Sequence, residues 1–319
     1  MGTRTGKVLA LLAFAAAIAC APELRASQLN LPADATDGLQ LLYSGQTDSA
    51  LALFQKIEQE QPESPLGYLL EAEARWWKMY CGACEIRWGF VDTWKEPNVS
   101  QGNVYLALLD KTTQLAETSI AKKDTAEMEL YAGMSDLLRA RLLGLRDDRK
   151  GTARAGVKGR EHLLRCLQLN PQMADAYAGL GLYNYYVDTL STLARVLRFF
   201  MGIPGGNKQI GIQQLRTAME QGELTQVEAR FYLAKNLRSY DFQYAQAADV
   251  LAPLVKKYPD NPIFLLLMGN LDAKLARNEA AAVYFREVEE KPSADAACAE
   301  RASELAQQFL EEISPQGGR

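Results

Sequence analysis

Ala247, Leu251 and Pro259 are followed by Ala281, Phe285 and Pro292, and the first two pairs are offset by 34 residues. Phe231 and Leu265 share that offset, and near the N-terminus Gly38, Ala50, Phe54 and Pro62 keep the same internal spacing. A self-similarity of this period constrains the fold more than any bulk property. It describes one small supersecondary unit that cannot bury its apolar face alone, so copies must stack and share a continuous core. Gly and Pro punctuate amphipathic blocks after residue 33, with no long alternating strand pattern, so the unit is a helix pair.

The spacing has a mechanical reading. A small residue opening the second helix (Ala50, Ala247, Ala281) lets it approach the first. An apolar residue one turn later (Phe54, Leu251, Phe285) fills the gap, and proline then stops the helix. Gly181 and Gly269 occupy the small site of first helices. This pattern resembles the tetratricopeptide repeat, with matches over 31–78, 126–223, 228–261 and 262–293. The expected fold is all-α: an α-α superhelix, or tetratricopeptide-like solenoid, of antiparallel helix pairs. An apolar helical insertion and a C-terminal capping helix complete it.

Two stretches depart from the repeat. Residues 79–125 keep helical composition but lose the signature, and Glu96-Pro97-Asn98 breaks them with a loop. After Gly181 the next equivalent site comes about twenty residues late, and the surplus lies in 187–208. That insertion includes Leu190, Leu193, Val196, Leu197, Phe199, Phe200 and Met201, then a Pro204-Gly205-Gly206 turn. Between Leu190 and Ile203 the apolar residues nearly encircle a helix interrupted by Arg195 and Arg198. Such a helix needs cover. It is either a plug across the inner groove or a helix that docks a partner or a membrane surface. The middle of the chain runs from Tyr131, Ala132 and Gly133 through Gly159 and Pro171 to the stretch Gly179–Tyr186. With the insertion, it resembles exported bacterial repeat proteins distantly similar to the tetratricopeptide repeat protein 39 and Iml2 family. That resemblance implies an interaction protein and carries over no catalytic residue.

The N-terminus reads as an address. Arg4 and Lys7 precede an uncharged run from Val8 to Cys20, too short for a comfortable membrane span and typical of an export signal. Cleavage after Ala26 would release a soluble periplasmic chain. Ala17-Ile18-Ala19-Cys20 alternatively resembles a lipobox, departing from it at Ala17, and would make Cys20 a lipid anchor. The expected organisation is a signal over 1–26 (1–19 if lipidated) and an N-terminal repeat with the divergent region over 31–125. Repeats with the insertion follow over 126–293, and a capping helix and tail over 294–319.

An exported setting permits disulfides. Cys81-Gly82-Ala83-Cys84 reads first as a local disulfide or as two packed thiols beside Trp76 and Trp77, and less directly as a redox pair. The chain has one histidine, which excludes multi-histidine metal sites. His162 lies within an amphipathic helix, without the oriented partners of a general base. The glycine-rich stretch 202–208 fails the phosphate-loop pattern because Gln209 follows Lys208, and it reads as a turn re-entering a second helix. No cofactor, metal or catalytic residue is therefore expected. A net charge of −4 argues against a nucleic-acid binder.

A protein or peptide partner remains, met by a concave surface of first helices. The candidate partner-binding residues are Tyr177, Tyr183, Tyr185 and Tyr186 with Arg195, Arg198, Phe199 and Phe200. Peripheral membrane contact would run through a lipidated Cys20 or helix 190–203. Nine Lys or Arg between Arg139 and Arg165, against three acids, form a basic middle that could steer an acidic partner. The reading is a non-enzymatic helical-repeat scaffold in the periplasm or lipid-anchored at the cell envelope. The alternatives are a thiol-disulfide protein using Cys81 and Cys84, and a lipid-surface or assembly factor.

Overall fold

A computed structural model describes residues 29–85, 93–94, 99–190 and 202–314. Thirteen helices lie among them. In chain order they are α1 (Ala33–Tyr43), α2 (Thr47–Glu60), α3 (Pro65–Ala83), α4 (Val99–Lys122), α5 (Ala126–Leu145), α6 (Arg149–Leu169) and α7 (Ala176–Thr189). Then come α8 (Lys208–Gln221), α9 (Gln226–Ser239), α10 (Tyr244–Lys257), α11 (Pro262–Lys274), α12 (Asn278–Glu290) and α13 (Ala296–Ile313). Each odd-numbered helix up to α11 packs against its successor, giving six helix pairs, and each pair packs against the next. This is an all-α superhelix of antiparallel pairs closed by a final helix. A two-residue antiparallel ladder, Cys84–Glu85 with Thr93–Trp94, follows α3.

The repeat signature is the contact inside each pair. A Cβ at Gly38 would overlap the Phe54 ring, and one at Gly269 would overlap Phe285. Both phenylalanines are fully buried, beside Ala50 and Ala281. The same contact recurs as Gly133 against Leu163 and Gly181 against Leu215. In those two pairs the small residue of the second helix is also glycine. A Cβ on Gly159 would come 2.9 Å from the Gly133 carbonyl, and one on Gly211 would come 2.7 Å from that of Gly181. Backbone therefore meets backbone at both crossings.

Spacing between these small residues shows where extra sequence went. In α5–α6 it is absorbed by length, since those helices have 20 and 21 residues against 14 in α7 and 14 in α8. In α7–α8 it falls into the connection instead. The expected boundary at 78 lies inside α3, which is continuous to Ala83. The described residues of 79–125 include the end of α3 and all of α4, which completes the α3–α4 pair.

Turns between paired helices also repeat. One residue in each of four turns takes a left-handed backbone: Gly45 (φ 81°), Asp147 (58°), Phe242 (55°) and Ala276 (58°). In all four the next N–H reaches back to the helix: Gln46 to the Leu41 carbonyl, Asp148 to Leu143, Arg277 to Asp272 and, one residue further back, Gln243 to Leu237. This is the Schellman stop, which satisfies orphan carbonyls at a helix end. Only the first of these positions is glycine, so the other turns are held against their backbone preference by the packing of the pair.

The last helix does not merely cover the end of a stack. α13 packs on α11 and α12 with Cys298, Ala302, Leu305, Ala306 and Phe309 buried, and it also packs on α3. Cys81 of α3 is disulfide-bonded to Cys298 of α13. Asn261 Nδ2 donates to the Tyr43 carbonyl at 2.9 Å, and the Leu29 N–H donates to Glu223 at 3.2 Å. The first pairs thus touch the last, and the superhelix closes on itself.

Gly269→Ala should destabilise the protein by about 1–2 kcal/mol. Overpacking a tight crossing costs roughly 1–3 kcal/mol and outweighs the ~1 kcal/mol that alanine gains in helix propensity. Urea unfolding of the two proteins measures the difference, and a stabilised variant would contradict a close α11–α12 contact.

Candidate functional site

In an open stack the inner surface would be formed by α1, α3, α5, α7, α9 and α11. Here α3 fills much of it. Trp77 packs against Tyr43 of α1, Phe231 of α9 and Phe264 of α11, with centroids 5.7, 5.0 and 6.0 Å away. Trp76 lies 6.0 Å from Tyr105 of α4 and donates its indole N–H to the Tyr232 hydroxyl of α9 at 3.1 Å. Tyr80 stacks beside Trp76 and meets Trp77 and Phe231 edge-on. The concave groove expected to receive a peptide is thus occupied along α5, α9 and α11 by residues of the chain itself. Nothing in the spacing of the two tryptophans revealed that they cross to the last pairs.

One ionic group sits within this aromatic layer. The Arg141 guanidinium lies 4.8 Å from the Trp76 ring centroid and 4.8 Å from that of Tyr232, and it pairs with Glu228 at 3.1 Å. Glu73 accepts the Trp77 indole N–H at 2.7 Å. Burial, and then the neighbouring Glu228 carboxylate, push Glu73 well above the ordinary carboxylate range. Burial and the adjacent carboxylate thus disfavour a charge on Glu73, while Arg141 pairs with Glu228. This group ties α3, α5 and α9 together and offers no group positioned to react with a substrate.

The predicted tyrosines separate by burial. Tyr185 is fully buried, its hydroxyl donating to Asp241 at 2.8 Å and to the Asn236 carbonyl at 3.2 Å. Tyr183 is buried and donates to the Pro204 carbonyl at 2.9 Å, so it braces the returning connection. Neither is a surface anchor, because their helix crosses α8 at a glycine pair that draws both rings into the core. Tyr186 is half-buried and bonded to Asn236 at 3.0 Å. Tyr177 alone lines an outer groove of about 320 Å³ with Ile210, Gln213 and Gln214. Arg195, Arg198, Phe199 and Phe200, with most of helix 190–203, lie outside the described residues, as does Cys20. The glycine-rich connection behaves as a turn: the Asn207 side chain caps α8, and Lys208 pairs with Asp241 at 2.6 Å.

Most of the basic middle is spent within the molecule. Asp110 and Glu117 of α4 and Asp124 of the turn after it recur every seven residues. They pair with Arg139 (2.7 Å), Lys158 (2.6 Å) and Arg165 (2.7 Å) of the next helix pair. Arg141 turns inward, and His162 Nδ1 lies 2.6 Å from Glu129 as a strut between α5 and α6. The stretch is therefore not an open cationic field for an acidic partner.

The cysteine reading is corrected. Cys81 bonds Cys298, which removes the thiol that a Cys81–Cys84 disulfide or redox pair requires. The helix carries Cys81 toward α13, where Cys298 is buried in the interface. Cys166 is a buried free thiol pushed up to about 12 by burial, which makes it a poor nucleophile. Among the described residues no group of three His, Cys, Asp or Glu side chains is placed to hold a metal ion. No described helix is long and apolar enough to cross a membrane.

No protein-family model matches the chain, and no curated protein matches it. Among solved structures it is similar to a thermophilic tetratricopeptide-repeat protein of Thermus thermophilus. Identity is 13%, covering 86% of this chain and 97% of that one, with a TM-score of 0.31. It is likewise similar to the C-terminal part of a repeat-containing protein of Cytophaga hutchinsonii, at 13% identity over 88% and 96% of the chains and a TM-score of 0.35. At these scores the superpositions say nothing of how the pairs are arranged, and the fold rests on the helix-pair contacts themselves.

Two measurements address the closure. Cys298→Ser should lower stability by up to about 5 kcal/mol, the loop-entropy value for residues this far apart. Unfolding with and without reductant reads it, and wild type and variant should converge once reduced. Arg141→Met should cost about 3–5 kcal/mol by stranding a buried carboxylate, and adding Glu228→Gln should recover part of that loss. Equal losses in the single and double variants would remove the ionic role assigned to Arg141.

Proposed function

We propose that this chain is a non-enzymatic helical-repeat scaffold of the bacterial cell envelope. It would be exported by its N-terminal signal and either released or held by a lipid on Cys20, engaging protein partners through its outer surface. The observation that carries this reading is the filled interior. With Trp76, Trp77 and Tyr80 seated against α4, α5, α9 and α11, the surfaces left for partners lie in the grooves between helices. Support for a scaffold over an enzyme comes from the Cys81–Cys298 bridge, the burial of the free Cys166 thiol, and the pairing of His162 with Glu129. The resemblance to exported repeat proteins points the same way. The thiol-disulfide alternative loses its reactive pair, and the lipid-surface alternative retains Cys20 and helix 190–203 as its support.

Photo-crosslinking in envelope preparations tests the scaffold. A crosslinker at Tyr177 in the outer groove should give discrete protein adducts, and one at Trp76 should give only intramolecular products. The reverse pattern would mean that the ring opens to receive its partner. Intact mass of the mature N-terminus separates cleavage after Ala26 from lipidation at Cys20.

A further inference from the structure

A groove of about 570 Å³ runs between α4, α5 and α6. Asp110, Glu117 and Asp136 line it with Arg139 and Lys158, so its walls are one cation short of neutral. Asp136 belongs to its floor and is only 3% exposed. A carboxyl this deep ordinarily receives two or more hydrogen bonds. The Asp136 Oδ2 is buried without a hydrogen-bond partner among the described residues. The nearest cations stand off, Lys158 Nζ at 3.7 Å and Arg139 Nε at 4.0 Å, because each bonds an acid of α4 at the rim. Burial correspondingly raises the Asp136 carboxyl above its usual range.

We propose that this groove binds a primary alkylammonium group, with Asp136 as its buried anion and Glu117 as the acid at its mouth. The head group follows from the floor. An ammonium is a compact charge with three donors that can reach a recessed carboxyl, whereas a planar guanidinium needs a matched pair of accessible oxygens. Rim pairs are the gate: Lys158 and Glu117 are both nearly half exposed, and such pairs hold by no more than about 1 kcal/mol. An entering ammonium displaces Lys158 from Glu117 and supplies the cation that the walls lack. The head group occurs on free diamines and on lysine side chains, and the inference stands independently of the scaffold reading.

Isothermal titration of the full chain with cadaverine, with acetyl-Gly-Lys-Gly-amide and with its norleucine counterpart tests the proposal. Saturable binding of either amine, absent for the norleucine peptide, is expected. Asp136→Asn should weaken it at least tenfold, with thermal unfolding measured in parallel. Lys158→Met, a change at the exposed rim, should strengthen it several-fold by removing the competing cation. Binding of both amines marks a free-amine site, and binding of the peptide alone marks a partner's lysine. Absence of binding at millimolar amine in wild type and Lys158→Met, or binding unchanged by Asp136→Asn, overturns the assignment.

Discussion

Trp77 touches the first pair, the fifth and the sixth at once, and the rest of the molecule is arranged around that contact. A stack of helix pairs leaves an inner surface that water must cover or another element must bury. Here a helix from the second pair buries it, so apolar area that an open superhelix would expose becomes core. Phe231 and Phe264 are consequently almost inaccessible to solvent. Arg141 can remain charged in this layer because its faces meet aromatic rings and its edge meets Glu228. Glu73, beside Glu228 in the same layer, is driven toward its neutral form by burial and by that carboxylate.

The pair itself was legible in the sequence. Gly38 with Phe54 and Gly269 with Phe285 sit at the expected spacing because a ring and a missing Cβ are complementary shapes, and shape at a crossing depends on local register. The same logic was partly hidden in the middle pairs. There Gly159 and Gly211 replace alanine, and lengthened helices or a long connection separate them from Gly133 and Gly181.

Closure was not legible, and the reason is physical. Amphipathic periodicity states that Trp76 and Trp77 must be buried but not against what, since any apolar surface satisfies the burden equally. Cys81 illustrates the same gap. Sequence proximity favoured Cys84, while the actual partner lies 217 positions away on a helix that reads as an end cap. The tyrosines of α7 show a third form of it, because a helix buried on several sides disperses its aromatics around the axis and hides which one faces out. Of the predicted tyrosines, Tyr177 lines the groove between α7 and α8. The polar groove of α4–α6 escaped notice because its acids and bases come from three helices that are adjacent only after folding.

Closure also has a consequence for how the protein is made. Ribosomes deliver α3 long before α9, α11 and α13 exist, so its two tryptophans and Cys81 emerge without the surfaces that will cover them. Early pairs can stack as they appear, but α3 must wait with apolar area and a thiol exposed, a state prone to wrong association. Oxidation to Cys298 becomes available only near the end of synthesis, after the aromatic contacts can already form. The bridge therefore seals a ring that side-chain recognition has already drawn together, and a chain cut short before α11 lacks the lining for its own centre.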